Sequence, residues 1–255
     1  MRALYQFAKL SRLKFVSHLD LQRFMQMALR RTELPVAYSQ GFNPHPVMSF
    51  ASALAVGWTS ECEILDVKLA KSVAEEFAFS QMASALPPDM PLRRVRLVED
   101  SHPAMMASLR TARYRIALAG EGAPKVVAAV EGYMAESSVI ALRKTKSGEK
   151  PADIRPMTVE LVASQSAEGK DGSIQTGVPE CISNNTSVCL NPQEQTEDSW
   201  RLWTTLMLTE KATLKPDLLV STLAARAGAE VPDMQIHRLR LMGEGAHGAA
   251  DLMDL

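Results

Sequence analysis

Cysteine is scarce, with three residues at Cys62, Cys181 and Cys189 in a chain of 255. An odd number at wide spacing supplies neither a disulfide framework nor the paired ligands of a compact zinc site, and no three lie close enough to hold an iron–sulfur cluster. No apolar run approaches the roughly 20 residues that a membrane-spanning helix needs. Phosphate-cradling loops, dinucleotide fingerprints and the Gly-x-Ser-x-Gly elbow are all missing. Charge of one sign is missing too: 28 bases stand against 29 acids, for a net charge of -1. With 46% hydrophobic residues, this is the composition of an ordinary globular protein. It is not that of a disordered chain or of one that coats nucleic acid by charge alone.

The distribution of charge says more than its sum. From Met1 to Arg31, seven bases face only Asp20, a local net of +6. A second basic stretch holds Arg93, Arg94, Arg96, Arg110, Arg113 and Arg115, whereas acids dominate between Glu168 and Asp198. Such asymmetry suits a basic face turned toward an anionic partner, and it is equally what a soluble surface can carry.

Within the basic segment, Ser17 can cap a helix, with Asp20 three residues on. Leu21, Phe24, Met25, Ala28 and Leu29 then recur at the spacing of one buried helical face, and Gln22, Arg23, Gln26, Arg30 and Arg31 fall on the other. Leu34-Pro35 stops the helix. Pro35 to Ser39 reads as extended, and Gly41 to Pro46 as a turn-rich loop stiffened by two X-Pro bonds. His18 and His45 have a plain reading as solvated or hydrogen-bonded histidines. The sharper reading gathers them, with Tyr38 and Asn43, into a site where a helix N-terminus attracts an anion and histidine donates to it or moves a proton.

Taken in order, the pattern predicts a strand over 2–9, the helix from Ser17, a strand over 47–56, a strand over 61–69, a helix over 72–86 capped by Ser72 with Glu75, and a strand over 92–98. This is the βαββαβ order of a ferredoxin-like module. After a hinge at 101–103, strands over 112–119, 139–144, 157–163, 199–208 and 234–242 and helices over 124–135 and 215–227 repeat it less cleanly. The expected fold is therefore α+β: two tandem ferredoxin-like modules with antiparallel sheets, over 1–100 and 101–243. A polar insertion fills about 164–198, and a mobile, Gly- and Ala-rich tail runs over 244–255. Each sheet would keep one face free of helices, a common place to bind a partner.

The run V-S-H-L-D-L-Q-R-F at Val16–Phe24, with R-R-T-E-L-P-V-A-Y-S-Q-G-F-N-P-H-P at Arg30–Pro46, then M-S-F and E-C-E-I-L-D-V, resembles the radical-SAM-linked protein family. That family is a bacterial domain of unknown function, found alone or fused after a radical SAM enzyme. The match is specific through about Leu69, and Asp153-Ile-Arg-Pro156 continues it in fragments. The resemblance implies a radical SAM enzyme as partner and leaves the reaction open. Without a cluster loop of its own, the chain is expected not to perform radical chemistry.

The expected function is that of a non-catalytic, cytoplasmic accessory protein needing no cofactor, metal or membrane. It would bind or present a substrate, RNA or a ribosomal component, through His18, Asp20, Arg23, Tyr38, Phe42, Asn43 and His45. The alternative is a metal-independent endoribonuclease that resembles CRISPR repeat-processing enzymes at the level of fold, with His18, Tyr38 and Ser39 as catalytic groups.

Overall fold

In a computed structural model, residues 1–145, 148–166, 199–246 and 248–255 are described; most of the expected insertion at 164–198, with Cys181 and Cys189, lies outside them. Among the described residues the fold is mixed α+β, with five helices and a large, mostly antiparallel sheet. The chain divides into two compact units, and the division is discontinuous. The first takes residues 1–115, 205–214 and 235–255, and the second takes 116–204 and 215–234.

The first unit begins with β1 (Arg2–Lys9), a 3-10 turn (Ser11–Phe15), α1 (His18–Arg30), β2 (Met48–Phe50), β3 (Thr59–Lys68), α2 (Glu75–Ala85) and β4 (Leu92–Val98). The predicted βαββαβ order is present. β1 lies between β4 and β3, antiparallel to both. The other edge of β3 is shared: β2 takes Leu65–Val67 in antiparallel register, and β10 (Asp233–Gly245) takes Thr59 and Ser60 in parallel register. β2 is much shorter than the apolar run 47–56 implies, because β10 claims the start of β3 and the chain turns away at Ala51.

Helix α1 buries Leu21, Met25, Ala28 and Leu29, as the spacing predicts. They pack with Ala3, Tyr5 and Phe7 of β1, Leu65 and Val67 of β3, and Ala78 and Met82 of α2. Burial of each large apolar side chain contributes roughly 1.5–3 kcal/mol. At α2 the predicted capping box does not form. Ala74 is the N-cap, without a side-chain bond, and Glu75 accepts a hydrogen bond from the Leu97 amide of β4 at 2.9 Å.

The sheet face turned away from these helices is not open, contrary to expectation. Leu4, Ala8 and Ile64 on it are buried. The segment after Gly243, expected to be a mobile tail, forms β11 (Gly248–Asp251) against β10 and a closing 3-10 turn (Leu252–Asp254). Leu252 and Met253 are fully buried, Arg96 donates to the Met253 carbonyl at 2.7 Å, and Arg94 pairs with Asp254 at 2.6 Å. Arg2 holds Asp66 with two bonds and reaches the carbonyls of His102 and Pro103. Two of the arginines read as an anion-binding surface thus fasten the C-terminus.

The second unit holds parts of β5 (Leu109–Ala119), β9 (Ser199–Met207) and β8 (Thr158–Ser166), in that sheet order, with α4 (Ala123–Ala135) and α5 (Pro216–Arg226). The strand expected over 139–144 is present as β6 (Ile140–Thr145). Among the described residues it pairs only with β7 (Gly148–Asp153), in a separate two-stranded hairpin. Tyr133 of α4 anchors this unit, its hydroxyl hydrogen-bonded to Thr158 Oγ1 at 2.7 Å.

Candidate functional site

Ser17, in extended conformation, caps α1: its Oγ accepts from the Asp20 amide at 3.2 Å, and its hydroxyl donates to Asp20 Oδ2 at 2.6 Å. Arg23 donates to the other Asp20 oxygen at 3.3 Å. Asp20 thereby places a carboxylate on the positive end of the helix dipole and occupies the position an external anion would take. His18 is half-buried, its ring edge-on to Phe50 with centroids 5.1 Å apart. Phe50 in turn stands edge-on to Phe7 at 6.4 Å.

The loop after α1 is braced at its base. The Ala37 amide donates to the Lys68 carbonyl, Val47 donates to the Ala37 carbonyl, and Ser39 donates to the His45 carbonyl, each at 2.9 Å. Ser39 Oγ lies 2.9 Å from His45 Nδ1 and accepts from the His45 amide at 3.1 Å. Gly41, at φ +129, makes the reversal that a side chain would strain. At the tip Phe42 is fully exposed, with Asn43 beside it, and Tyr38 is 43% exposed.

The predicted residues thus form two groups. Asp20 and Arg23 are joined at the start of α1, whose first residue is His18; Ser39 and His45 are joined in the braced loop, and Tyr38, Phe42 and Asn43 lie on it. Among the described residues no hydrogen bond, ion pair or ring contact links one group to the other.

A third constellation escaped the sequence reading. Lys9, Glu63 and Arg238 are each 1% exposed. Lys9 Nζ donates to the Val16 carbonyl at 2.8 Å, just before the cap of α1. Arg238 bonds Ser52 Oγ and the Ala53 carbonyl, and its Nε lies 3.6 Å from Glu63 Oε1. Burial lowers the Lys9 pKa, and Arg238 adds to that while Glu63 opposes it. Two cations and one carboxylate therefore hold the segment after β2 and the entry to α1 against the end of β3. Cys62 beside them is pushed up to about 12 by burial, so its thiol stays protonated and unreactive. Next to them, His237 Nδ1 lies 2.7 Å from Thr59 Oγ1, and its Nε2 lies 3.7 Å from Glu61, which also pairs with Arg93. Burial, with help from Arg115, drops the His237 pKa to about 4.

No spacing in the sequence pointed here. The β1–β3 register slips between Phe7, which faces Glu63, and Lys9, which faces Ser60. A bulge at such a place re-aims side chains. Among the described residues no three His, Cys, Asp or Glu side chains gather as a metal site. No described helix is long and apolar enough to cross a membrane.

The profile of a bacterial family, described as uncharacterized protein conserved in bacteria (DUF2344), matches residues 2–192. The chain belongs to this family. In this DUF2344 chain the match takes in both predicted site groups, along with Lys9 and Glu63, whereas Arg238 lies beyond it. No curated protein matches the chain.

Proposed function

We propose that this DUF2344 chain is a non-catalytic accessory protein that presents a substrate to a radical SAM enzyme in the cytoplasm. The substrate is RNA or a ribosomal component, gripped by the loop over 38–46. The observation that carries this reading is the fully exposed Phe42 ring at the tip of a loop whose base is hydrogen-bonded shut. An apolar ring held in water costs free energy that binding recovers, and a braced loop loses little entropy on docking. An unstacked base is a fitting occupant, since base stacking on an aromatic side chain contributes about 1–3 kcal/mol. Tyr38 and Asn43 add polar contacts. The radical SAM partner is carried by the motif over Val16–Leu69.

The finer fold reading, tandem ferredoxin-like modules, belongs to the same proposal. Its support is the strand order. β4-β1-β3, with β2 on the far edge of β3, is the permutation of that fold, and β10-β5-β9-β8 repeats it. The endoribonuclease alternative gains less: His18 packs on Phe50 and makes no described bond to Tyr38 or Ser39.

The test is fluorescence anisotropy of single-stranded and structured RNAs with the full chain at low and moderate salt, beside co-purification from the native host. Binding that weakens at least 10-fold in Phe42→Ala, together with recovery of a radical SAM enzyme, is the expected result. Affinity unchanged by that substitution removes the loop from the reading, and His18-dependent RNA cleavage replaces it with the nuclease.

A further inference from the structure

Helix α1 buries one face in the core, and its other face is not merely polar. The exposed positions along it are Leu19, Asp20, Arg23, Met27 and Arg30. Leu19 and Met27 are 63% and 52% exposed. Spaced by four, four and three residues, Leu19, Arg23, Met27 and Arg30 form one straight outer stripe in which apolar and basic side chains alternate. Leu19 and Met27 lie about 12 Å apart along the axis, and Arg23 and Arg30 about 10 Å apart, at 1.5 Å per residue. Two residues before the helix cap, Phe15 is 70% exposed, with Lys14 Nζ over its ring at 5.4 Å. Arg30 has no described ion pair, and Arg23 has only the exposed contact to Asp20. The helix is fixed by its cap and buried face, so the stripe is rigid.

We infer that this stripe is the docking surface for an acidic amphipathic helix of a protein partner. Two apolar side chains eight residues apart and two arginines seven residues apart match the spacing of one face of a second helix. Leucines would cover Leu19 and Met27, and glutamates at heptad spacing would pair with Arg23 and Arg30. Charge selects the sign of the partner, since residues 14–31, on and beside α1, hold Lys14, Arg23, Arg30 and Arg31 against the single acid Asp20. A phosphate backbone would leave Leu19, Met27 and Phe15 in water and would meet Asp20 at the helix start. A lipid surface would gain little from a helix whose larger apolar face is already buried in the core. The inference deepens the accessory reading and rests on it only in requiring a protein partner. It involves none of the 38–46 loop.

The probe is a labelled synthetic helix with leucines at core positions and glutamates flanking them, titrated against the full chain by fluorescence anisotropy and amide NMR. Expected are saturable binding with shifts centred on 19–30, a loss of at least 10-fold in Leu19→Ala/Met27→Ala, and a similar loss in Arg23→Glu/Arg30→Glu. The charge-swapped chain should then bind the same helix carrying lysines in place of its glutamates, and Phe42→Ala should change nothing. Since all four residues are exposed, unchanged circular dichroism and melting show that the variants fold. Binding insensitive to both double variants overturns the inference. So do competition for the stripe by single-stranded RNA, equal binding to anionic phosphatidylserine vesicles, and self-association of the chain that these variants abolish. Loss of RNA binding in Phe42→Ala with the helix probe unaffected would separate this surface from the loop.

Discussion

Along β1, Ala3, Tyr5 and Phe7 enter an apolar layer with Met25, Leu65 and Val67, whereas two residues further on Lys9 is just as buried among Glu63 and Arg238. The two ends of one short strand are thus held by opposite means. At the apolar end burial is non-directional, and any well-shaped side chain serves. At the charged end every group is desolvated and depends on its partners, so removing one leaves another uncompensated. Such an arrangement is a poor way to gain stability and a good way to fix one geometry. What it fixes is the segment leading from β2, through Ser52 and Ala53, and the entry to α1, through the Val16 carbonyl.

The sharpest break of this contrast is Arg238→Met, expected to cost about 3–5 kcal/mol, with Glu63→Leu similar. The double replacement Glu63→Leu/Arg238→Met should cost less than either single change. Urea unfolding of the four chains decides this, and strictly additive losses would mean that the groups are not coupled. At the apolar end Phe7→Ala should cost about 3–5 kcal/mol as well. No second substitution of opposite polarity should restore it.

The contrast also has a pH signature. Folded His237 titrates near 4, below the 6.5 of an unperturbed histidine, because of burial and then Arg115. The unfolded chain binds the extra proton between those values, so stability is complete above pH 6.5 and falls as the pH drops toward 4, by up to about 3 kcal/mol. His237→Gln should flatten that limb of the stability–pH curve. An unchanged slope would place the acid sensitivity elsewhere.

Smaller effects mark the periphery. Ser17→Ala removes the cap of α1 and should cost about 1 kcal/mol, read as a lower melting temperature. Phe42→Ala should alter stability by no more than about 0.5 kcal/mol while weakening substrate binding. A large destabilisation would show that the ring is packed rather than presented.

Much of this arrangement was legible beforehand because it is local. The buried face of α1 follows from residues three and four apart, its cap from Ser17 and Asp20, and the stiff loop from Gly41 and two prolines, whereas the helix ends at Arg30, ahead of the expected stop at Leu34-Pro35. The order of strands and helices over 1–98 follows from the same periodicities. Other expectations failed for equally physical reasons. Glu75 was drawn from its helix cap by the Leu97 amide. The run 47–56 yielded only a three-residue strand because β10 pairs with the first part of β3. Arg94 and Arg96, which looked free in sequence, hold the C-terminal turn.

The sequence by itself determined which segments become helix or strand and which face of each is apolar, since those depend on neighbours within a few residues. It could not decide which charges would be buried together. Lys9, Glu63 and Arg238 are far apart in the chain, and nothing in their immediate surroundings distinguishes them from solvated residues. Only the closing of the sheet, which brings β1, β3 and β10 side by side and strips these groups of water, turned them into one constellation.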